Sequence, residues 1–220
     1  ASVVLLPPLL QQHAGYPDSA IGDIVGYRGM GSGIGFLLAM PMARLDPRIS
    51  LAVGALLQAS TGWWMMSFDL NVDMNTLLMC NVLQGISIGV SWVPLTVITF
   101  WTLAPGDRGE AMSMYHLLRN FGSSLFISIA VAEIVRTSAA NYARMGEHIS
   151  PYNRVLDMPW AMGAWAVDSA PALAKISNEI ARQSVLIGYM NAWLLYTAVA
   201  LAWLPLCLLA RLPKPAAKTA

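Results

Sequence analysis

Three stretches of this chain, Ile49–Phe68, Met74–Ala104 and Ser184–Ala210, contain no Asp, Glu, Lys or Arg. Each is near or above the roughly 20 residues that a helix needs to cross the hydrocarbon core of a bilayer. No water is present there to take unpaired backbone groups, so such runs must close their hydrogen bonds within a helix. The chain as a whole agrees: 56% of its 220 residues are hydrophobic and 11% are charged, against about 25% charged in an ordinary soluble domain. A water-soluble fold cannot cover itself with so few charges. The alternating strands of about 10 residues that build an outer-membrane barrel do not fit the pattern either.

The expected fold is therefore all-α, a polytopic membrane bundle of six transmembrane helices. The segments fall at about Ala1–Ala14, Ala20–Ala43, Ile49–Phe68, Met74–Ala104, Glu110–Val135 and Ser184–Ala210. Turn-type sequences separate them: Gly15-Tyr16-Pro17-Asp18, Asp46-Pro47-Arg48, Asp69–Asn75 and Pro105-Gly106-Asp107. The chain's first apolar run, Ala1 to about Gln12, would span only about 18 Å as a helix, and without an initiator Met it reads as a cut through a transmembrane helix. Pro94, inside the long fourth segment, predicts a tilt or kink there. Residues 136–183 read as an external, partly helical loop carrying five basic and four acidic residues. Within it Trp160 and Trp165 point to a membrane surface or a partner, and Ala170–Gln183 has the pattern of a short amphipathic helix. Residues 211–220 form the tail.

Lys and Arg sort by side. Arg44, Arg48, Arg108, Arg211, Lys214 and Lys218 lie after the second, fourth and sixth segments, and the short loops Gly15–Ser19 and Asp69–Asp73 hold none. Cytoplasmic loops are enriched in both residue types, which places the tail in the cytoplasm. No basic block marks a nucleic-acid partner. Cys80 and Cys207 are too far apart for a metal or redox motif; both read as packing residues. Neither a phosphate loop, nor HExxH, nor a Ser/His/Asp arrangement is visible, so no cofactor and no enzymatic activity are expected.

Ionisable groups within a membrane span are costly and usually face a cavity or a partner. Arg28 lies about ten residues from the external turn and Arg119 about ten from the cytoplasmic one, so each is roughly 15 Å deep. His116, Arg119, Asn120, Ser123 and Ser124 recur at three- and four-residue spacing and share one broad face of the fifth helix, which predicts a lining for water or a ligand. A structural polar network between helices is the competing reading. Gln84 is a candidate for the same cavity. Asp23 and Glu133 read as interfacial. Gly26, Gly29, Gly31, Gly33 and Gly35 contain two GxxxG spacings, with another at Gly85 and Gly89, and these predict close helix packing.

Several runs, taken in order, resemble the C-terminal six helices of the EmrB/QacA type of the major facilitator superfamily. They are Leu5-Leu6-Pro7-Pro8-Leu9-Leu10-Gln11-Gln12, Tyr27-Arg28-Gly29-Met30-Gly31-Ser32, Leu83-Gln84-Gly85-Ile86-Ser87-Ile88-Gly89 with Val93-Pro94-Leu95-Thr96, Arg108-Gly109-Glu110-Ala111, Leu117-Leu118-Arg119-Asn120-Phe121-Gly122-Ser123-Ser124, and Arg182-Gln183-Ser184. The resemblance implies one half of a fourteen-helix transporter that exports amphipathic drugs or toxic compounds against proton entry. Its partners would be an N-terminal half, the lipid bilayer, hydrophobic small molecules and protons. In double-membrane bacteria many such proteins also work with a periplasmic adaptor and an outer-membrane channel. Asn191 stands where many relatives have an acid, so proton carriage is expected in the other half. A non-transporting scaffold or partner-binding membrane protein is the alternative, with a membrane enzyme behind it.

Overall fold

The computed structural model describes residues 2–12, 15–45, 47–100, 103–104, 106–150, 153 and 169–209. Among the described residues there are six helices: α1 (Ser2–Gln12), α2 (Asp18–Leu45), α3 (Pro47–Met65), α4 (Met74–Phe100), α5 (Arg108–Gly146) and α6 (Ala170–Leu209). By length and composition three of them, α4, α5 and α6, are apolar enough to cross a membrane. Of the others, α2 and α3 reach the length but are less apolar, and α1 has 11 residues. Trp160, Trp165 and the tail at 211–220 lie outside the described residues.

Two helices run past the expected spans. Between Val135 and Gly146 there is no Pro or Gly to stop α5, so the helix continues through charged residues that water tolerates. The amphipathic stretch Ala170–Gln183 likewise joins the following apolar run without a breaker, and α6 is continuous from Ala170 to Leu209.

The chain divides into two compact units, one of residues 1–126 and 193–220, the other of residues 127–192. In the first, α2 lies along α4 so closely that glycines on both helices are backbone to backbone. A Cβ on Gly31 would strike the Val82 carbonyl, one on Gly85 the Arg28 carbonyl, and one on Gly89 the Ser32 carbonyl and the Gly35 backbone. Only glycine allows this approach, which trades side-chain contact for close backbone packing, the usual device between membrane helices. Of the three GxxxG spacings in α2, Gly31/Gly35 makes the contact, whereas Gly22, Gly26, Gly29 and Gly33 face open space.

The α3–α4 contact repairs a defect in α4. Pro94 has no N–H, so the carbonyl four residues before it, on Val90, lacks its helical partner. Ser50 of α3 is fully buried and donates its hydroxyl to that carbonyl at 2.9 Å. Ser50→Ala would leave the Val90 carbonyl orphaned in an apolar setting. The expected loss is about 1–2 kcal/mol of unfolding free energy, read as a lower midpoint in detergent or SDS titration; an unchanged midpoint would show that α4 needs no such support.

The loop ends of this unit are also tied. Gln11 donates from Nε2 to Asp18 at 2.7 Å, and the Tyr16 hydroxyl donates to the Val72 carbonyl at 2.6 Å. The turns after α1 and α3 therefore lie side by side, as the shared lack of Lys and Arg leads one to expect. Burial, and then the nearby Asp73 carboxylate, raise the Tyr16 phenol above its ordinary pKa. In the second unit α5 and α6 pack through Gly188, which abuts Ser138 and the Ile134 backbone, and through a 2.9 Å hydrogen bond between the Tyr142 and Ser177 hydroxyls.

Candidate functional site

Within the first unit a polar chain crosses four helices. It begins at Arg28 of α2, 9% exposed, whose Nη1 donates to Oε1 of Gln84 on α4. Gln84, 0% exposed, turns its Nε2 toward the Tyr196 hydroxyl on α6 at 3.5 Å. That hydroxyl donates to Oε1 of Gln58 on α3 at 2.9 Å. The thioether of Met65 is also within 3.8 Å of the Gln84 amide. A guanidinium in an apolar bundle needs such acceptors, because leaving it unpaired costs far more than a neutral group would. The Arg28 guanidinium is the one formal charge on these four side chains, and it does not release protons in proteins. The chain can thus hold a position or sense a ligand, but it cannot carry protons by itself.

Beyond Gln58 and Tyr196 the bundle opens into a cleft of about 330 Å³, walled by Ala55, Phe126, Val199, Ala200 and Trp203, with Ser91 as a further polar member. Phe126 packs edge-on against the Tyr196 ring, centroids 6.4 Å apart. The cleft is mostly apolar with a few polar groups, the usual composition of a small-molecule site.

Of the residues nominated from sequence, Arg28 and Gln84 are in direct contact. The α5 group sits elsewhere: Arg119 stacks on Trp92 of α4, its guanidinium carbon 4.4 Å from the ring centroid. His116 meets Tyr115 edge-on at 5.7 Å, while Asn120 and Ser123 lie on exposed positions of the helix. Asp23 is exposed, and Glu133 accepts a hydrogen bond from Thr137 at 2.9 Å. Cys80 and Cys207 are both free and buried. Among the described residues no group of three His, Cys, Asp or Glu side chains can hold a metal. Sequence reasoning missed Gln58 and Tyr196. The cue that singled out Gln84, an isolated amide in a charge-free run, also applies to Gln58 in Ile49–Phe68.

These features define a multi-pass helical membrane protein with a polar thread through its apolar interior. The chain is similar in sequence to EmrB-type multidrug export proteins. It is 25% identical over 217 residues to the fatty acid resistance protein FarB of Neisseria gonorrhoeae, covering 96% of this chain and 42% of that protein. To the multidrug export protein EmrB of Haemophilus influenzae it is 25% identical over 193 residues, 85% of the chain and 37% of the relative. The probable multidrug resistance protein EmrY of Escherichia coli K12 is 26% identical over 221 residues, 97% and 42% respectively. The chain therefore spans about two fifths of the length of these curated relatives. No protein-family profile and no solved structure matches it.

Proposed function

We propose that the chain is the C-terminal half of a secondary active transporter of the major facilitator type, in the cell's inner membrane, which exports amphipathic toxic compounds in exchange for protons. The observation that carries this reading is the Arg28–Gln84–Tyr196–Gln58 chain, buried at Arg28 and Gln84 and half-buried at Tyr196 and Gln58, whose buried guanidinium is a costly feature that a merely structural bundle has no need to keep. Transporter sites lie near the membrane midplane, at the junction of two repeats, and Arg28 is at the corresponding depth of its helix. The names and coverage of the relatives support the same conclusion, with an N-terminal half supplying the remaining helices and the proton-carrying acid. The Lys/Arg asymmetry and the paired turns at Tyr16 and Val72 support a cytoplasmic C-terminus.

In this reading Arg119, with His116, Asn120 and Ser123 on the same helix, faces the transport pathway, and Trp92 parks its cation when no acid partner is engaged. Arginine there lowers the pKa of a carboxylate brought against it and so helps to discharge a proton. In the complete transporter, Arg119→Ala should cut proton-coupled export in proteoliposomes by at least about tenfold, at near-normal membrane levels. Arg119→Lys should recover part of the activity if a point charge suffices. Normal export by Arg119→Ala would remove Arg119 from the mechanism, and loss of the protein itself would mark the residue as structural.

A further inference from the structure

The cleft beside the polar chain has features of its own. Gln58 lies near the middle of α3, where its Oε1 accepts from Tyr196, but among the described residues no acceptor takes the two protons on its Nε2. An amide N–H left unmatched in a bilayer costs free energy, and Gln58 is among the residues that line the cleft. No lining residue carries a formal charge, the walls include the Phe126, Tyr196 and Trp203 rings, and the space is about 330 Å³, at the small end of ligand pockets.

We propose that the cleft lined by Ala55, Gln58, Ser91, Phe126, Tyr196 and Trp203 is a binding site for a neutral amphipathic small molecule of one or two rings that presents a hydrogen-bond acceptor to Gln58. Aromatic walls favour flat apolar bodies, and the free amide selects a carbonyl or ether oxygen. An acyl chain of a lipid fills the volume but leaves the amide protons unmatched, so the cleft prefers the acceptor-bearing ligand. Because Tyr196 and Gln84 connect Gln58 to Arg28, an occupant also sits at the end of the hydrogen-bond chain that holds the buried cation. As a station for exported molecules the cleft rests on the transport reading; as a binding site it does not.

The test is photolabelling of the full chain in lipid nanodiscs with benzophenone, a neutral two-ring ketone, followed by mapping of the modified peptides. Adducts should concentrate on the peptides carrying Gln58 and Tyr196–Trp203. Excess diphenyl ether, a neutral two-ring molecule with an ether acceptor, should suppress them, and a triphenylphosphonium cation should not. Ala55→Trp, which fills the cleft, should lower labelling by about tenfold, and Gln58→Leu by about fivefold, the factor for one net hydrogen bond. If Ala55→Trp fails to fold, Val199→Trp fills the same space from α6. Equal labelling of the wild-type and filled variants, as ketone dissolved in lipid tails would give, overturns the proposal. So does undiminished labelling of Gln58→Leu, or equal competition by the phosphonium cation. No gradient is present in this assay, so a failure of transport with labelling intact counts against the transport reading alone.

Discussion

Replacing Gln84 by Leu should destabilise the bundle by about 2–3 kcal/mol, because it strips a buried guanidinium of an acceptor while leaving the charge in place. Gln84 is fully buried and bridges Arg28 and Tyr196, so the apolar replacement cannot be rescued by water. The informative companion is the double variant Arg28→Met/Gln84→Leu. With both partners apolar, nothing charged remains to be solvated, and most of the lost stability should return. Unfolding titrations of the four proteins form a cycle whose coupling term measures the pair directly. If the double variant is no more stable than Gln84→Leu alone, the stabilising role of Gln84 does not run through Arg28. On the proposed transport function, export by the complete protein should, by contrast, be lost in all three variants.

An effect at least as large is expected at the α2–α4 seam. Gly85→Leu forces a side chain into the Arg28 carbonyl and the Ser32 amide, which are backbone atoms and cannot swing away. The two helices must separate, at a cost of about 3 kcal/mol or more, seen as a large drop in the unfolding midpoint and loss of a monodisperse detergent-solubilised peak. Gly29→Ala and Gly33→Ala meet no atoms within 4 Å, so replacing glycine with the better helix former should raise stability by about 0.5–1 kcal/mol each. Glycines on the two helices of one seam thus predict opposite signs. Equal losses at Gly33 and Gly85 would contradict the packing described.

That contrast also marks how far the sequence can be read. Two GxxxG spacings overlap in α2, and nothing local distinguishes them; the choice of Gly31/Gly35 depends on how α2 is rotated against α4, which is decided by residues some 50 positions away. Charge-free runs showed where apolar helices would form, since hydropathy reports the solvent. The ends of α5 and α6 were not legible in that way, because a helix leaving the membrane changes its residue types without changing its backbone. Arg28 and Gln84 stood out as polar groups in apolar surroundings. Their pairing, and the parts of Tyr196 and Gln58, belong to the tertiary register, for which a single chain of letters carries no direct sign.

The proline of α4 has a mechanical meaning. At Pro94 one rung of the helical ladder is missing, and the loose carbonyl of Val90 is moored to Ser50 on a different helix. Bending of α4 at that rung therefore pulls on α3 through a short, directional tether. The Phe100 end of α4 cannot swing far about Val90 unless the neighbouring turn of α3 follows, so the two helices behave as a crank and its connecting rod. The seryl hydroxyl is the pin between them.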